Sequence, residues 1–192
     1  YATTAEPLVM TDPVGEQWPG GMVVKCTYRE KGDWPEFATY WYEGKDKDGT
    51  PFLPEMPEEL KADGRKLPSN GNLIIGTKGK LLSSGAYWAR PQLLPTSKHN
   101  DFGLPPELLE RSPGHHAEFF MACRGEKPRE YSKSNFSYSG PMTANIQLIN
   151  LCARAGRKIE LDTAGKVVND PTINELAWRE SREGWGPLEM KP

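Results

Sequence analysis

The hydrophobic pattern of this chain changes period once, and that change constrains the fold more than any other feature. Up to Pro95 the apolar residues alternate; beyond residue 105 they recur at helical spacing. Met22, Val24 and Cys26 share one side while Val23, Lys25 and Thr27 share the other, the period of a half-buried strand. Gly32-Asp33-Trp34-Pro35 interrupts the pattern, and Phe37 to Tyr42 then forms the densest run of β-formers. Two antiparallel strands joined by a turn fit best. Asn72 to Ile75, the turn Thr77-Lys78-Gly79-Lys80 and a return strand Lys80 to Ser83 read as a second hairpin. Tyr87-Trp88 and Gln92-Leu93-Leu94 continue the β character.

The second half reads as helices. His115 to Arg124 starts after Ser112-Pro113 and stops at Gly125, with Ala117, Phe119, Phe120, Met121 and Cys123 as its apolar residues. A second helix runs from about Pro141 to Ala155, its stripe made of Met142, Ile146, Ile149 and Cys152-Ala153. Pro141 stands in the first turn and Gly156 just past the end. Ile159 to Leu161 is a short strand, and a third helix runs from Pro171-Thr172 to near Gly184 with Ile173, Leu176 and Ala177 inward. Strands first and helices last predict an α+β fold: an open, mostly antiparallel β-sheet with helices packed on one face. Residues 1–192 are expected to form a single domain. Residues 1–15 read as an extended arm, with a peripheral strand as the alternative. Residues 43–70 read as a long Pro-rich loop, with a helical suggestion only at Glu58–Lys61.

Composition removes several function classes. The chain carries 24 Lys and Arg against 26 Asp and Glu, so it has no basic footprint for nucleic acid. Its longest apolar runs, such as Leu73-Ile74-Ile75, fall far short of the roughly 20 residues a membrane helix needs. Six Trp and seven Tyr are too many for a disordered polar chain. Glycine and proline, 19 and 18 residues, are scattered without a repeat and indicate many loops. Cys26, Cys123 and Cys152 are odd in number and widely spaced, which fits neither a disulfide framework nor a metal knuckle. The compartment stays open. The start at Tyr1 without methionine reads as a processed or excised piece.

Few motifs carry chemistry. No Gly-x-Gly-x-x-Gly occurs. Gly71 to Lys78 imitates a phosphate-binding loop, but its Thr and Lys are in the wrong order and its middle reads as a strand. Asp46-Lys47-Asp48-Gly49 opens like a calcium loop without its later ligands, which leaves a surface turn. Asn135-Phe136-Ser137 is a formal glycosylation sequon, a cheap three-residue pattern. His115 and His116 with Glu118 form the one cluster suited to proton chemistry. His115 and Glu118 share a helix face, while a metal would need further ligands that no spacing supplies. The same histidine pair equally suits a packing or hydrogen-bonding role at a helix start. Strand aromatics such as Trp41 and Tyr42 suit a core, a sugar platform or a subunit interface.

Five segments in order carry a resemblance: Asn72 to Leu81, Ser112 to Phe119, Ser134 to Thr143, Ala153 to Lys158 and Asn174 to Trp185. Together they resemble the C-terminal domain of the Gfo/Idh/MocA oxidoreductases, bacterial subgroup, over roughly residues 16–188. The resemblance implies a substrate-binding and assembly domain of an NAD(P)-dependent enzyme acting on a sugar or polyol. In that family NAD or NADP sits on an N-terminal Rossmann domain, which this chain does not contain, so the chain by itself is expected to bind no cofactor and to be inactive. The catalytic residues would lie upstream of Tyr1, and Glu126-Lys127-Pro128 matches a motif of the missing domain only in its letters. His115 and His116 match the subgroup's Gly-His-His segment and are expected to contact substrate. Trp41 and Tyr42 are expected at a homo-oligomer interface made by the sheet face. A stand-alone carbohydrate-binding or structural module, or part of an NAD-dependent glycosidase of the same superfamily, are the alternatives.

Overall fold

The computed structural model of the chain describes residues 1–12, 18–177 and 181–185. Its elements run β1 (Thr4–Met10), β2 (Gly21–Tyr28), β3 (Phe37–Gly44), α1 (Glu58–Ala62), β4 (Gly71–Gly76), β5 (Gly79–Ser84), β6 (Ala89–Leu94), α2 (Thr96–Phe102), α3 (His115–Cys123), α4 (Phe136–Ala155) and β7 (Ile159–Glu160), with 3-10 turns at Arg129–Tyr131 and Pro171–Ala177. All pairings between these strands are antiparallel. The α+β class and the open antiparallel sheets agree with the period change in the sequence. Where one domain was expected, the chain divides into two compact units, Tyr1–Leu53 with Ser112–Pro192, and Pro54–Arg111.

The first unit is a four-stranded sheet in the order β3-β2-β1-β7. Within residues 1–15, expected to be an arm or a peripheral strand, Thr4–Met10 form an inner strand: β1 pairs with β2 on one side and β7 on the other. Their few periodic residues hid this, because Pro7 and a register shift between Pro7 and Val9 break the alternation. Ala2 and Ala5 are nonetheless fully buried. The core joins Ala5, Met22, Val24, Cys26 and Ile159 of the sheet to Leu148, Ile149, Leu151, Cys152 and Ala153 of α4. Burial of each large aliphatic side chain there contributes about 1.5–3 kcal/mol. Gly21 and Gly44 face each other where β2 and β3 cross at their ends. A Cβ on Gly44 would meet the Gly20 carbonyl oxygen at 2.0 Å, so the strand pair closes only with glycine there.

Helix α4 starts earlier than its proline suggests. Asn135 caps it, its Oδ1 accepting from the Tyr138 amide at 3.2 Å, and Pro141 lies inside the helix rather than at its first position. Proline there removes one intrahelical donor, a cost that the cap and the buried second half outweigh. The helix ends on Gly156 in the left-handed region, as expected. Its burial is lopsided: Met142 and Ile146 are exposed, and the core contact begins at Leu148. The third helix is a 3-10 turn over Pro171–Ala177 that buries Ile173 and leaves Ala177 exposed. Residues 178–180 of the expected helix lie outside the described residues.

The second unit is the three-stranded meander β4-β5-β6 with α1 and α2. Tyr87 and Trp88 form its β5–β6 turn rather than a strand, with Trp88 at φ 52°. Leu60 of α1, Leu82 and Leu94 are its buried core, flanked by Met56, Leu67 and Leu73. Polar ties reinforce this small core. The Asp63 carboxylate accepts from the Thr96 amide and hydroxyl, both at 2.8 Å, and Arg65 donates to Gln92 at 2.7 Å. Helix α2 starts directly after Pro95 and carries His99 in its last turn.

Candidate functional site

The expected site opens α3. Gly114, at φ 102°, turns the chain into the helix, and its amide donates to the Ser112 hydroxyl at 3.0 Å. His115 and His116 follow directly, both exposed, their rings 4.1 Å apart at a 50° tilt. Glu118 is the residue that α3 buries, at 2 % exposure, while Phe119 and Phe120 project outward. This inverts the expected apolar stripe.

A polar tether explains why a carboxylate is the buried group. Glu118 Oε2 accepts from the Lys133 backbone amide at 2.9 Å, which binds α3 to the loop before α4. Hydrogen bonding from the Ser112 hydroxyl and the Lys133 amide holds the carboxyl below its ordinary range, with smaller help from the charges of Lys133 and His115. The group is therefore ionised at neutral pH. Its Oε1 is buried and has no hydrogen-bond partner among the described residues, an arrangement that costs desolvation energy. Among the described residues no group of three or more His, Cys, Asp and Glu is placed to hold a metal ion, so His115, His116 and Glu118 do not converge as a ligand set.

The loop tethered by Glu118 borders a hollow of about 390 Å³, lined by Glu130, Ser132, Lys133, Asn135 and Tyr138. Glu130 of this lining belongs to the 3-10 turn Arg129–Tyr131, and the Lys127 and Lys133 ammonium groups lie 4.8 and 5.7 Å from the Tyr131 ring centre. Asn135 fixes the far wall, its Nδ2 donating to the Glu130 and Ser132 carbonyls at 3.1 and 2.8 Å. This spends both amide hydrogens of the sequon asparagine on capping, and a glycan there would remove one of those bonds. Sequence reasoning noticed Asn135 only as a sequon and missed the hollow. The available signal was the run Ser132-Lys133-Ser134-Asn135, a helix-start composition placed just before an apolar stripe.

Trp41 and Tyr42 lie on β3, the edge strand of the first sheet. As neighbours on a strand they take opposite faces. Trp41 stands beside Val24 on the α4 side and donates from Nε1 to Glu43 at 2.9 Å; Tyr42 stands beside Val23 on the other side and stacks on Tyr40 with centroids 6.5 Å apart. A partner lying flat on one sheet face would touch one of them, whereas a partner at the β3 edge would touch both. No described helix is long and apolar enough to cross a membrane. No known protein family matches the chain, and neither a curated protein nor a solved structure shows significant similarity to it.

Proposed function

We propose that this chain serves as the substrate-binding and assembly domain of an NAD(P)-dependent oxidoreductase acting on a sugar or polyol. The observation that carries the reading is the ordered set of five segments resembling the Gfo/Idh/MocA C-terminal domain. Asn72 to Leu81 spans a hairpin, Ser112 to Phe119 opens α3, Ser134 to Thr143 opens α4, and Ala153 to Lys158 closes it through Gly156. On this reading His115 and His116 touch substrate, Trp41 and Tyr42 meet a second copy, and NAD or NADP is held by a Rossmann domain outside these 192 residues.

The test uses the chain joined to its cofactor domain, mixed with NAD or NADP and a panel of sugars and inositols. Formation of the reduced cofactor supports the reading. Sugar release without net cofactor reduction would move the protein to the glycosidase branch, and no cofactor dependence at all would leave a carbohydrate-binding or structural module. The 192-residue chain alone is expected to show no thermal shift with NAD(P). A bound cofactor at 100 times its dissociation constant would add about 2.7 kcal/mol, an easily read upward shift that would count against this assignment.

A further inference from the structure

Strand β3 is an edge of the first sheet, and no described residue pairs with its outer side between Ala38 and Tyr42. The ladder fixes which backbone groups are free there. The Lys45 amide donates to the Gly20 carbonyl at 3.2 Å, so the odd-numbered residues exchange their bonds with β2: Glu43 with Met22, Trp41 with Val24, Thr39 with Cys26. Ala38, Tyr40 and Tyr42 therefore turn their N–H and C=O groups away from the sheet. The window is bounded at both ends. The Gly44 carbonyl already accepts from the Phe52 amide at 3.1 Å, and Pro35, before the strand, has no N–H to give. Edges that stay alone are commonly blunted by lysine, proline or a bulge, and none of these interrupts Phe37–Tyr42.

This window is centred on Tyr40 and complements itself. A second copy laid antiparallel along it, with a two-fold axis at Tyr40, sets Tyr40 against the partner's Tyr40 and Ala38 against the partner's Tyr42. Each such pair exchanges both of its free bonds. The side chains suit that register. The small Ala38 leaves room for the opposing Tyr42, and Tyr40, stacked on Tyr42 with centroids 6.5 Å apart, continues into the partner's rings. On the α4 side Thr39 comes opposite the partner's Trp41. Phe37, Tyr40 and Trp41, 44–48 % exposed in the single chain, gain cover in this way. Charge does not oppose it. Residues 38–42 carry none, and Lys25, whose ammonium lies 5.9 Å from the Tyr40 ring centre, stands opposite Glu6 on β1.

We infer that two copies of this chain join edge to edge through β3, antiparallel about Tyr40, into one sheet continuous across both. This replaces the packing of sheet faces with a backbone ladder. It gives the meeting of Trp41 and Tyr42 with a second copy, part of the reading above, a defined geometry, and its register is argued from the strand alone. The 192-residue chain is followed by sedimentation velocity over a concentration series, with amide hydrogen exchange read by NMR at both ends of the series. The expected result is a monomer–dimer equilibrium in which the Ala38, Tyr40 and Tyr42 amides gain protection with concentration. The Thr39 and Trp41 amides, already bonded to β2, should not change. Tyr40→Lys and Tyr40→Glu should each weaken the dimer about tenfold, and mixing the two should restore it, because in this register residue 40 meets itself. Tyr40 is half-exposed, so unchanged amide signals in β1 and β2 show that the variants fold. A monomer at every concentration, a dimer without the alternating protection, or no recovery in the mixture would overturn the inference. Such a failure leaves the cofactor-reduction assay to decide the oxidoreductase reading, and failure of that assay leaves the dimer standing.

Discussion

Cys26 and Cys152 lie at 1 % and 0 % exposure in the core of the first unit, and burial pushes their thiols up to about 11 and about 12. Cys123, at the end of α3, is exposed. The thiolate is the reacting species, so the native chain should take one iodoacetamide adduct, at Cys123, in a short reaction near about pH 8. Mass spectrometry should find three after unfolding in urea; two or three adducts on the native chain would contradict the burial. Glu118 makes a different kind of residue-scale prediction. Its carboxyl is held below its ordinary value of 4.5, so its ionised form stabilises the fold above that value, and the contribution disappears as the pH falls through the lower folded value. Wild type should therefore exceed Glu118→Gln in urea midpoint at neutral pH, and the gap should close under acid. The start of α3 at His115 was legible from Ser112-Pro113. That Glu118 goes inward was not, because its partner Lys133 is 15 residues away and offers a backbone amide that any residue would carry.

At the scale of elements, the helices show where local signals succeed and where packing takes over. The C-terminal stop of α4 at Gly156 follows from a single residue's freedom to take the left-handed conformation. Its start at Asn135 is a cap, and Asn135→Ala should cost about 1 kcal/mol, read as a lowered denaturation midpoint. The same substitution removes the bonds that shape the hollow wall, so amide signals of residues 130–138 should move more than those of the sheet. The second unit depends on very few side chains. Leu60 is fully buried in a core whose other buried members are Leu82 and Leu94. Leu60→Ala should cost about 2–5 kcal/mol. Hydrogen exchange should then show β4, β5 and β6 losing protection while β1 and β2 keep theirs, and uniform loss across both units would contradict their separate cores. Strands β2, β3, β4 and β5 were visible by alternation or turn chemistry. β1 was hidden by its proline and its irregular register, and the entry into β6 by the positive φ of Trp88 and Arg90.

For the whole molecule, the division at residues 53 and 111 matters most. The stretch after α2 has no regular structure, and it exposes Leu104, Leu108 and Leu109 at 84–93 %. Exposed apolar residues on an irregular segment suit a protease whose specificity is for large aliphatic side chains. Brief thermolysin treatment should cut first between Gly103 and Arg111, leaving a fragment that begins near the α3 segment. First cleavage within β1, β2 or α4 would contradict this architecture. The same segment joins the two units, and nothing in its composition separates it from the loops of a one-domain protein.

Alternation before Pro95, helical spacing after residue 105 and the glycine and proline punctuation between them determined an α+β chain with antiparallel hairpins, because those signals act over a few neighbouring residues. The tertiary structure decided which of the elements are central, which apolar stripes find a partner and which carboxylate turns inward. Those outcomes depend on contacts between residues far apart in sequence: β1 between β2 and β7, Leu148 against the sheet, and Glu118 beneath Lys133. A hydrophobic period states that one face must be covered, but only the assembled chain supplies or withholds the cover. That is why Met142 and Ile146 remain exposed on the same helix that buries Ile149 and Cys152.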